Sequence, residues 1–380
     1  MVNINIGFNR AHSIAVIDVA PGGATVAICS STKDSAATVL SIASSSLSLE
    51  SRTEQQAKSQ IGEQVKEAAA QAIKLYMSAG HSAPVSEAYI VVHAPWAHTA
   101  LISSEEHFES ETLVQGALIS AHAKKALSDG ALQDAGEVLE ASVIRVDLNG
   151  YATPAPEGKR AHWIRITSIV SSCDPAVKAT TKAAVEQNFP VARITWRSGI
   201  RALMTLARES HLDTSFLVID MGVEDTHIVS FRDGEMNQLI VPEGTRTILS
   251  RIAAGRPADE VVGYLRMLSR DACSTDACDA LRQAVATTEP ELVRVFGEAI
   301  GKIASKNRVP NGVLLLTHPD LESWFAGFLA RIDFAQFTET SLPLSVHTAQ
   351  SLDISNWVAG AKTSDASTVA IALVNIESRV

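Results

Sequence analysis

Phe216-Leu217-Val218-Ile219-Asp220-Met221-Gly222-Val223-Glu224-Asp225-Thr226-His227-Ile228-Val229-Ser230-Phe231-Arg232-Asp233-Gly234 is the stretch whose reading decides the fold. It reads as an apolar buried strand, a tight turn carrying Asp, Gly and Thr, a second strand, and an Arg-Asp-Gly hairpin turn. The chemistry of such a turn is specific. A carboxylate at a strand end can hold a metal-bound water, Gly222 lets backbone N–H groups approach a phosphate, and the Thr226 hydroxyl can donate to it. The same residues also describe an ordinary β-hairpin with a polar turn, since Asp-x-Gly is common by chance. The choice between the two rests on the rest of the chain.

Residues 13–30 repeat the pattern. Ile14-Ala15-Val16-Ile17-Asp18 is an apolar strand ending in Asp, Val19-Ala20-Pro21-Gly22-Gly23 is a Gly-containing turn, and Ala24-Thr25-Val26-Ala27-Ile28 returns as a second strand. Two such units, about 200 residues apart, form an internal repeat of architecture.

The chain has 380 residues, enough for two or more domains, with 46% hydrophobic and only 5% aromatic residues. That balance suits a helix-covered α/β protein. A net charge of −10, with no basic run to offset it, argues against a nucleic-acid binder. Asn3, Asn5, Asn9, Arg10 and His12 interrupt any signal-peptide core, and no run of about 18 apolar residues spans a bilayer, so a cytoplasmic protein without membrane insertion is expected. Cys29 and Cys173 sit in apolar strands and read as small core residues. Cys273 and Cys278 form a pair, but no second Cys or His pair has zinc-ligand spacing.

A third strand is predicted over 39–49, where Ser alternates with Ile, Leu and Ala. A helix follows over 54–79, with Ile61, Val65, Ala68, Ala72, Ile73 and Tyr76 near helical spacing and Gly80 as its stop. Residues 84–172 change texture. Strands are predicted over 88–93 and 99–108, a helix over 111–128, and strands over 138–147, 151–153 and 162–171, with Asn149-Gly150 as a hairpin turn. This reads as a small α+β module inserted into a larger fold. A helix over 175–187, a strand over 191–196 and a helix over 199–210 lead into the opening stretch. Residues 245–307 are predicted almost wholly helical, with breaks at 255–257 and 289–290. A strand over 312–317, a helix over 320–331 and a final strand over 368–374 complete the chain.

This order resembles the actin-like ATPase superfamily, an α/β fold of two ribonuclease H-like domains that close over a nucleotide. Within it the FtsA/PilM group is most similar, because its strand-helix-strand-strand insertion stands where 84–172 stands here. The resemblance implies a first actin-like domain (1–83 and 173–211), an inserted interaction module (84–172), a second domain (212–244 and 308–380) and a helical insertion (245–307). It also implies ATP and Mg²⁺ as ligands. Asp18, Gly22 and Gly23 match the first phosphate turn, and Asp220, Gly222 and Thr226 the second. Gly244, in Pro242-Glu243-Gly244-Thr245-Arg246-Thr247, matches a helix start at the nucleotide, and Thr317 the late adenosine turn. Asp18 and Asp220 are the implied Mg²⁺ holders, through water.

The departures are as informative. Val19-Ala20-Pro21 stands where the family has Asp-x-Gly followed by a hydroxyl residue and often Lys, and Pro21 removes an N–H. Val223 replaces a usual Gly, Glu243 another, and His227 stands where Asp is common. Leu316-Thr317-His318-Pro319-Asp320 stands where the family has Leu-Thr-Gly-Gly, so a ring and a locked φ narrow the pocket. A weak ATP binder or a pseudo-ATPase is expected, and no catalytic residue is assigned.

His93-Ala94-Pro95-Trp96-Ala97-His98 reads either as loop packing or as a surface for protein partners, with His93, Pro95 and Trp96 its contacts. Asp271, Asp276 and Asp279 read as a solvated acidic face, whereas Glu224 and Asp225 repel phosphate unless Mg²⁺ bridges them. FtsA-like chains end in a basic amphipathic membrane helix, for which Asn375-Ile376-Glu377-Ser378-Arg379-Val380 leaves no room. The expected function is a cytoplasmic scaffold that joins an inner-membrane type IV pilus or cell-division complex and can self-assemble. The alternative is a small-molecule kinase of the sugar or acetate kinase type on the same two-domain core.

Overall fold

A computed structural model describes residues 12–20, 22–32, 35–46, 53–128, 136–190, 193–209, 215–232, 235–253, 255–268, 272–274, 276–317, 319–348, 356–359 and 366–379. The chain opens with an antiparallel meander, β1 (His12–Ala20), β2 (Gly23–Thr32) and β3 (Ser35–Ser46). Helix α1 (Glu54–Ser78) follows, started by a capping box in which Thr53 and Gln56 satisfy each other's backbone N–H groups. Strand β4 (Val85–Val92) then returns parallel to β1.

A four-stranded unit comes next: β5 (Ala97–Leu113), α2 (Gly116–Ser128), β6 (Glu137–Leu148), β7 (Tyr151–Ala152) and β8 (Arg160–Cys173), in sheet order β5-β8-β6-β7. Asn149 and Gly150 both adopt positive φ, as a tight two-residue hairpin turn between β6 and β7 requires. Helix α3 (Pro175–Asn188), strand β9 (Arg193–Ser198), which pairs parallel with β4, and helix α4 (Gly199–Glu209) return the chain to the first sheet.

The second half repeats the plan. Strands β10 (Phe216–Met221), β11 (Thr226–Arg232) and β12 (Glu235–Val241) form a meander, followed by α5 (Thr245–Ala253), α6 (Ala258–Leu268) and α7 (Asp276–Ala304). Strand β13 (Gly312–Leu316) pairs parallel with β10, then come α8 (Pro319–Arg331) and β14 (Ser345–Thr348). Strand β15 (Val358–Ala359) rejoins the first sheet beside β3, and α9 (Ala366–Arg379) ends the described chain.

The apolar runs of β1 and β10 are continuous because both faces of each strand are covered. In β1, Ala15, Ile17 and Val19 pack toward α1 and α3, while Ile14 and Val16 share a core with α4 and α9. In β10, Leu217, Ile219 and Met221 pack toward α5 to α8, whereas Val218 joins the same central core as Ile14 and Val16. Helices α4 and α9 thus contribute to one core shared by both sheets.

Four expectations need correction. Strand β4 belongs to the first sheet through its pairs with β1 and β9, so the inserted unit starts at β5 rather than at 84. The segment over 111–115 does not begin a helix, because Thr112 and Leu113 extend β5 against Ala161 and Arg160. Helix α7 runs through Pro290 without a break. Its buried face, Leu281, Thr288, Leu292, Phe296 and Ile300, continues across the proline, and that burial outweighs the roughly 3 kcal/mol an interior proline costs. The final apolar run is helix α9, not a strand of the second sheet. Every residue from Ala370 to Asn375 is buried, and a short run buried on all sides carries no periodicity to tell helix from strand.

Candidate functional site

Strand parity aims three polar side chains at one place. Asp18 follows Ile14 and Val16 at the same two-residue spacing, so it points toward the space between the sheets. Asp220 follows Val218 in the same way. Tyr89 and Val91 of β4 also face that space, and His93 extends the series by one step, its N–H donating to Val19 O at 2.9 Å. The three residues lie at the carboxyl ends of parallel strands, where open α/β sheets place their sites.

His93 Nε2 lies 2.6 Å from Asp18 Oδ1, and its Nδ1 lies 3.5 Å from Asp220 Oδ2. Asp18 and His93 are both buried. Burial alone pushes the His93 pKa down, but the charges and hydrogen bonds of Asp18 and Asp220 outweigh it and hold the pKa well above the ordinary histidine value. The two carboxylates thus favour the charged form of the imidazole between them. Gly199 at the start of α4 makes room for the ring, because a Cβ there would sit 2.4 Å from His93 Nδ1.

The two predicted phosphate turns touch. A Cβ on Gly22 would lie 2.4 Å from Val223 Cγ2, so the first turn packs against the residue that replaces a glycine in the second. Gly23, at φ +144°, lies against the Ser45 carbonyl of β3. The donors of the second turn are already engaged. Gly222 N–H donates to Asp225 O at 2.9 Å, and the fully buried Thr226 hydroxyl donates to Glu243 O at 2.5 Å. Thr245 and Arg246, at the start of α5, donate their N–H groups to Gly222 O and Val223 O. Gly244 permits that close approach, since a Cβ there would lie 2.3 Å from Val223 O. Glu224 pairs with Arg246 and Glu243 with Arg251. Thr317 directly follows β13, its buried hydroxyl without a hydrogen-bond partner among the described residues, and His318 lies outside them.

In the arrangement seen, the second phosphate turn is closed on itself. A phosphate needs free N–H and hydroxyl donors, and those of Gly222, Thr226, Thr245 and Arg246 are spent on backbone carbonyls. The space between the aspartates holds the His93 imidazole. Among the described residues no group of three or more His, Cys, Asp or Glu side chains is arranged to hold a metal ion.

Of the three residues expected to meet partners, Pro95 is half-buried, whereas His93 and Trp96 are not at the surface. His93 is 6% exposed and Trp96 2%, so both are interior residues in this conformation. Sequence reasoning missed His93 as the centre of the cleft. The signal was its place one residue past an apolar strand, in phase with Tyr89 and Val91. Cys273 and Cys278 form a disulfide across the start of α7. The acidic set divides: Asp276 and Asp279 lie in the first turn of α7, Asp279 paired with Arg282, and Asp271 lies outside the described residues.

Two polar connections reach from the cleft to the four-stranded unit. His227 faces Asp220 across the β10–β11 hairpin and lies 3.0 Å from Gln238 Oε1, and Gln238 Nε2 donates to Thr99 O of β5 at 2.6 Å. Burial pushes the His227 pKa down, and Asp220 only partly restores it. On the other side, buried Glu140 of β6 accepts from Ser198 N and Oγ, both at 2.9 Å, and from Ser171 Oγ at 3.2 Å. Arg197, beside it, binds Glu377 of α9.

No family model and no curated protein matches the sequence. Among solved structures, the chain is similar to a PilM-PilN type IV pilus biogenesis complex, with a TM-score of 0.56, 13% identity, and coverage of 98% of this chain and 99% of that one. It is also similar to a diol dehydratase-reactivating factor in nucleotide-free form, at TM-score 0.49, 10% identity and coverage of 97% and 100%. A third likeness is the ethanolamine utilization protein EutJ from Carboxydothermus hydrogenoformans, at TM-score 0.44, 11% identity and coverage of 96% and 90%. The first of these establishes the fold: the chain has the two-domain actin-like ATPase fold in its PilM-like form.

Proposed function

We propose that this protein is a cytoplasmic actin-like scaffold of the FtsA/PilM type that assembles with an inner-membrane type IV pilus complex, and that it is a pseudo-ATPase. The Asp18–His93–Asp220 bridge carries the second part. It supplies between the two domains the positive charge that Mg²⁺ would otherwise bring, and it does so with a side chain that does not leave. The contact of Gly22 with Val223 supports the same reading, since it closes the two phosphate turns on each other.

The scaffold part is supported by the end-to-end likeness to the PilM of a PilM-PilN complex, which also favours the pilus role over cell division. None of the described helices is long and apolar enough to cross a membrane, so attachment would run through a partner protein. For the domain division we retain a first domain built on the β1 sheet, an inserted module of β5 to β8, a second domain built on the β10 sheet, and α5 to α7 as its helical insertion. A small-molecule kinase is not favoured, because phosphoryl transfer needs phosphate turns with free donors. The test is co-purification of the tagged full chain from native membranes. Recovery with inner-membrane assembly proteins supports the scaffold, and phosphoryl transfer to a small-molecule acceptor overturns it.

A further inference from the structure

Strand β5 forms one edge of the four-stranded sheet, and among the described residues it pairs only with β8. Two hydrogen bonds establish which of its amides face outward. Asp174 N–H donates to Trp96 O at 3.0 Å, immediately before the first ladder pair, Ala97 with Cys173. Trp96 and Asp174 are therefore a hydrogen-bonded pair. In an antiparallel ladder the pairs alternate, so Ala97/Cys173 and Thr99/Ser171 are not hydrogen-bonded to each other. The Thr99 carbonyl accordingly points away from β8, and the Gln238 side chain meets it at 2.6 Å.

The register continues unbroken to His107 opposite Trp163. Leu101, Ser103, Glu105 and His107 thus all turn their N–H and C=O groups outward. Their side chains make close cross-strand pairs that hold the strand regular. Ser103 Oγ lies 3.0 Å from Thr167 Oγ1, Glu105 pairs with Arg165, and His107 stacks on Trp163 at 5.6 Å. Gln238 of β12 closes the edge at Thr99, and the irregular register beyond His107 ends it at the other side.

The charge of this strand is one-sided. Residues 97–113 include Glu105, Glu106, Glu109 and Glu111, with no Lys or Arg; Arg165 and His122 answer Glu105 and Glu106, so the exposed Glu109 and Glu111 carry the excess. Edge strands commonly carry charge to repel unwanted pairing, and here the charge has a single sign. Two copies meeting at this edge would bring carboxylates together, whereas a basic strand would be attracted.

We propose that the outward edge of β5, from Leu101 to His107, accepts an extended basic polypeptide segment by strand addition. Backbone hydrogen bonds would give affinity, and Lys or Arg side chains reaching Glu109 and Glu111 at the end of the edge would give selectivity. This rests on the scaffold reading and deepens it by naming the chemistry of a partner segment.

The experiment is hydrogen–deuterium exchange on the full chain with and without the peptide acetyl-Lys-Val-Lys-Val-Lys-Val-Lys-amide. The expected result is about tenfold slower exchange across 101–107 at saturating peptide, weakened by added salt. Ser103→Pro removes an outward N–H while leaving the Ile102 and Ser104 bonds to β8, and it abolishes the effect. Should that variant fail to fold, the double change Glu109→Lys, Glu111→Lys leaves the backbone untouched and weakens binding about tenfold. Unchanged exchange at millimolar peptide overturns the proposal. So does equal protection by a peptide with Glu in place of Lys, binding retained by a folded Ser103→Pro variant, or protection of 101–107 by self-association without peptide. The peptide assay can fail while co-purification with membrane proteins succeeds, and the reverse also holds, so the two readings fail separately.

Discussion

His93 Nδ1 stands 3.5 Å from Asp220 Oδ2, and through this contact a side chain of the first sheet neutralises a carboxylate of the second. Replacing His93 by Ala leaves the carboxylates of Asp18 and Asp220 facing one cavity without the cation. Breaking such a buried pair costs on the order of 3 kcal/mol, and His93→Gln, which can still donate one hydrogen bond, costs less. Urea unfolding of the three proteins measures the order. Equal stability of His93→Ala and the parent would show that the bridge contributes nothing.

The same bridge has a pH signature. The His93 pKa is raised in the folded protein, since Asp18 and Asp220 outweigh its burial. A raised histidine stabilises fully below its unfolded value of about 6.5, and that contribution fades as pH rises through the higher folded value. The stability difference between the parent and His93→Ala is therefore largest below about pH 6.5 and shrinks as pH rises toward the alkaline side. Chemical unfolding at a series of pH values, with proton NMR of the His93 ring, reads both quantities.

The Gly22–Val223 contact predicts a coupled pair. Gly22→Ala places a methyl about where Val223 Cγ2 already lies, 2.4 Å from the added carbon, and overpacking of this kind costs about 1–3 kcal/mol. Val223→Ala removes the obstructing methyl. In a double-mutant cycle the second change recovers most of the first loss, giving a coupling above about 0.5 kcal/mol. Additive losses would mean that the turns do not touch in solution.

At the start of α3, Asp174 accepts from Ala176 N and Val177 N and pairs with Lys58 of α1 at 2.9 Å. Burial works against its ionisation, but Lys58 and the two backbone donors prevail and lower its pKa. Its contribution is present above the ordinary carboxylate range and is lost as pH falls through the folded value. Asp174→Ala destabilises by about 1 kcal/mol near neutral pH, and the gap closes in acid. Thermal melts at neutral and acidic pH check both the size and the sign.

Much of the fold was legible because its signals are local. Alternation and turn chemistry located β1 with β2, β10 with β11, and the Asn149-Gly150 hairpin, and helical spacing located α1. The repeat of strand, Asp and Gly turn exposed the symmetry between the two halves. What was not legible depends on contacts remote in sequence. His93 meets Asp18 across 75 residues, and no local pattern distinguishes a loop histidine from one between two domains. Helix α9 was misread because a run buried on all sides has no polar face to mark its period. The turn residues are read from local sequence, but nothing local shows that the donors of Gly222 and Thr226 meet the protein's own carbonyls, or that the Gly244 N–H meets the Thr247 hydroxyl.

The central claim is that the cleft is closed by its own side chains rather than by a nucleotide. Isothermal titration of the purified full chain with Mg-ATP tests it most directly. The account predicts no binding heat up to millimolar nucleotide, no change in melting temperature and no ATP hydrolysis. Saturable binding in the micromolar range that disappears in Asp220→Ala would contradict it.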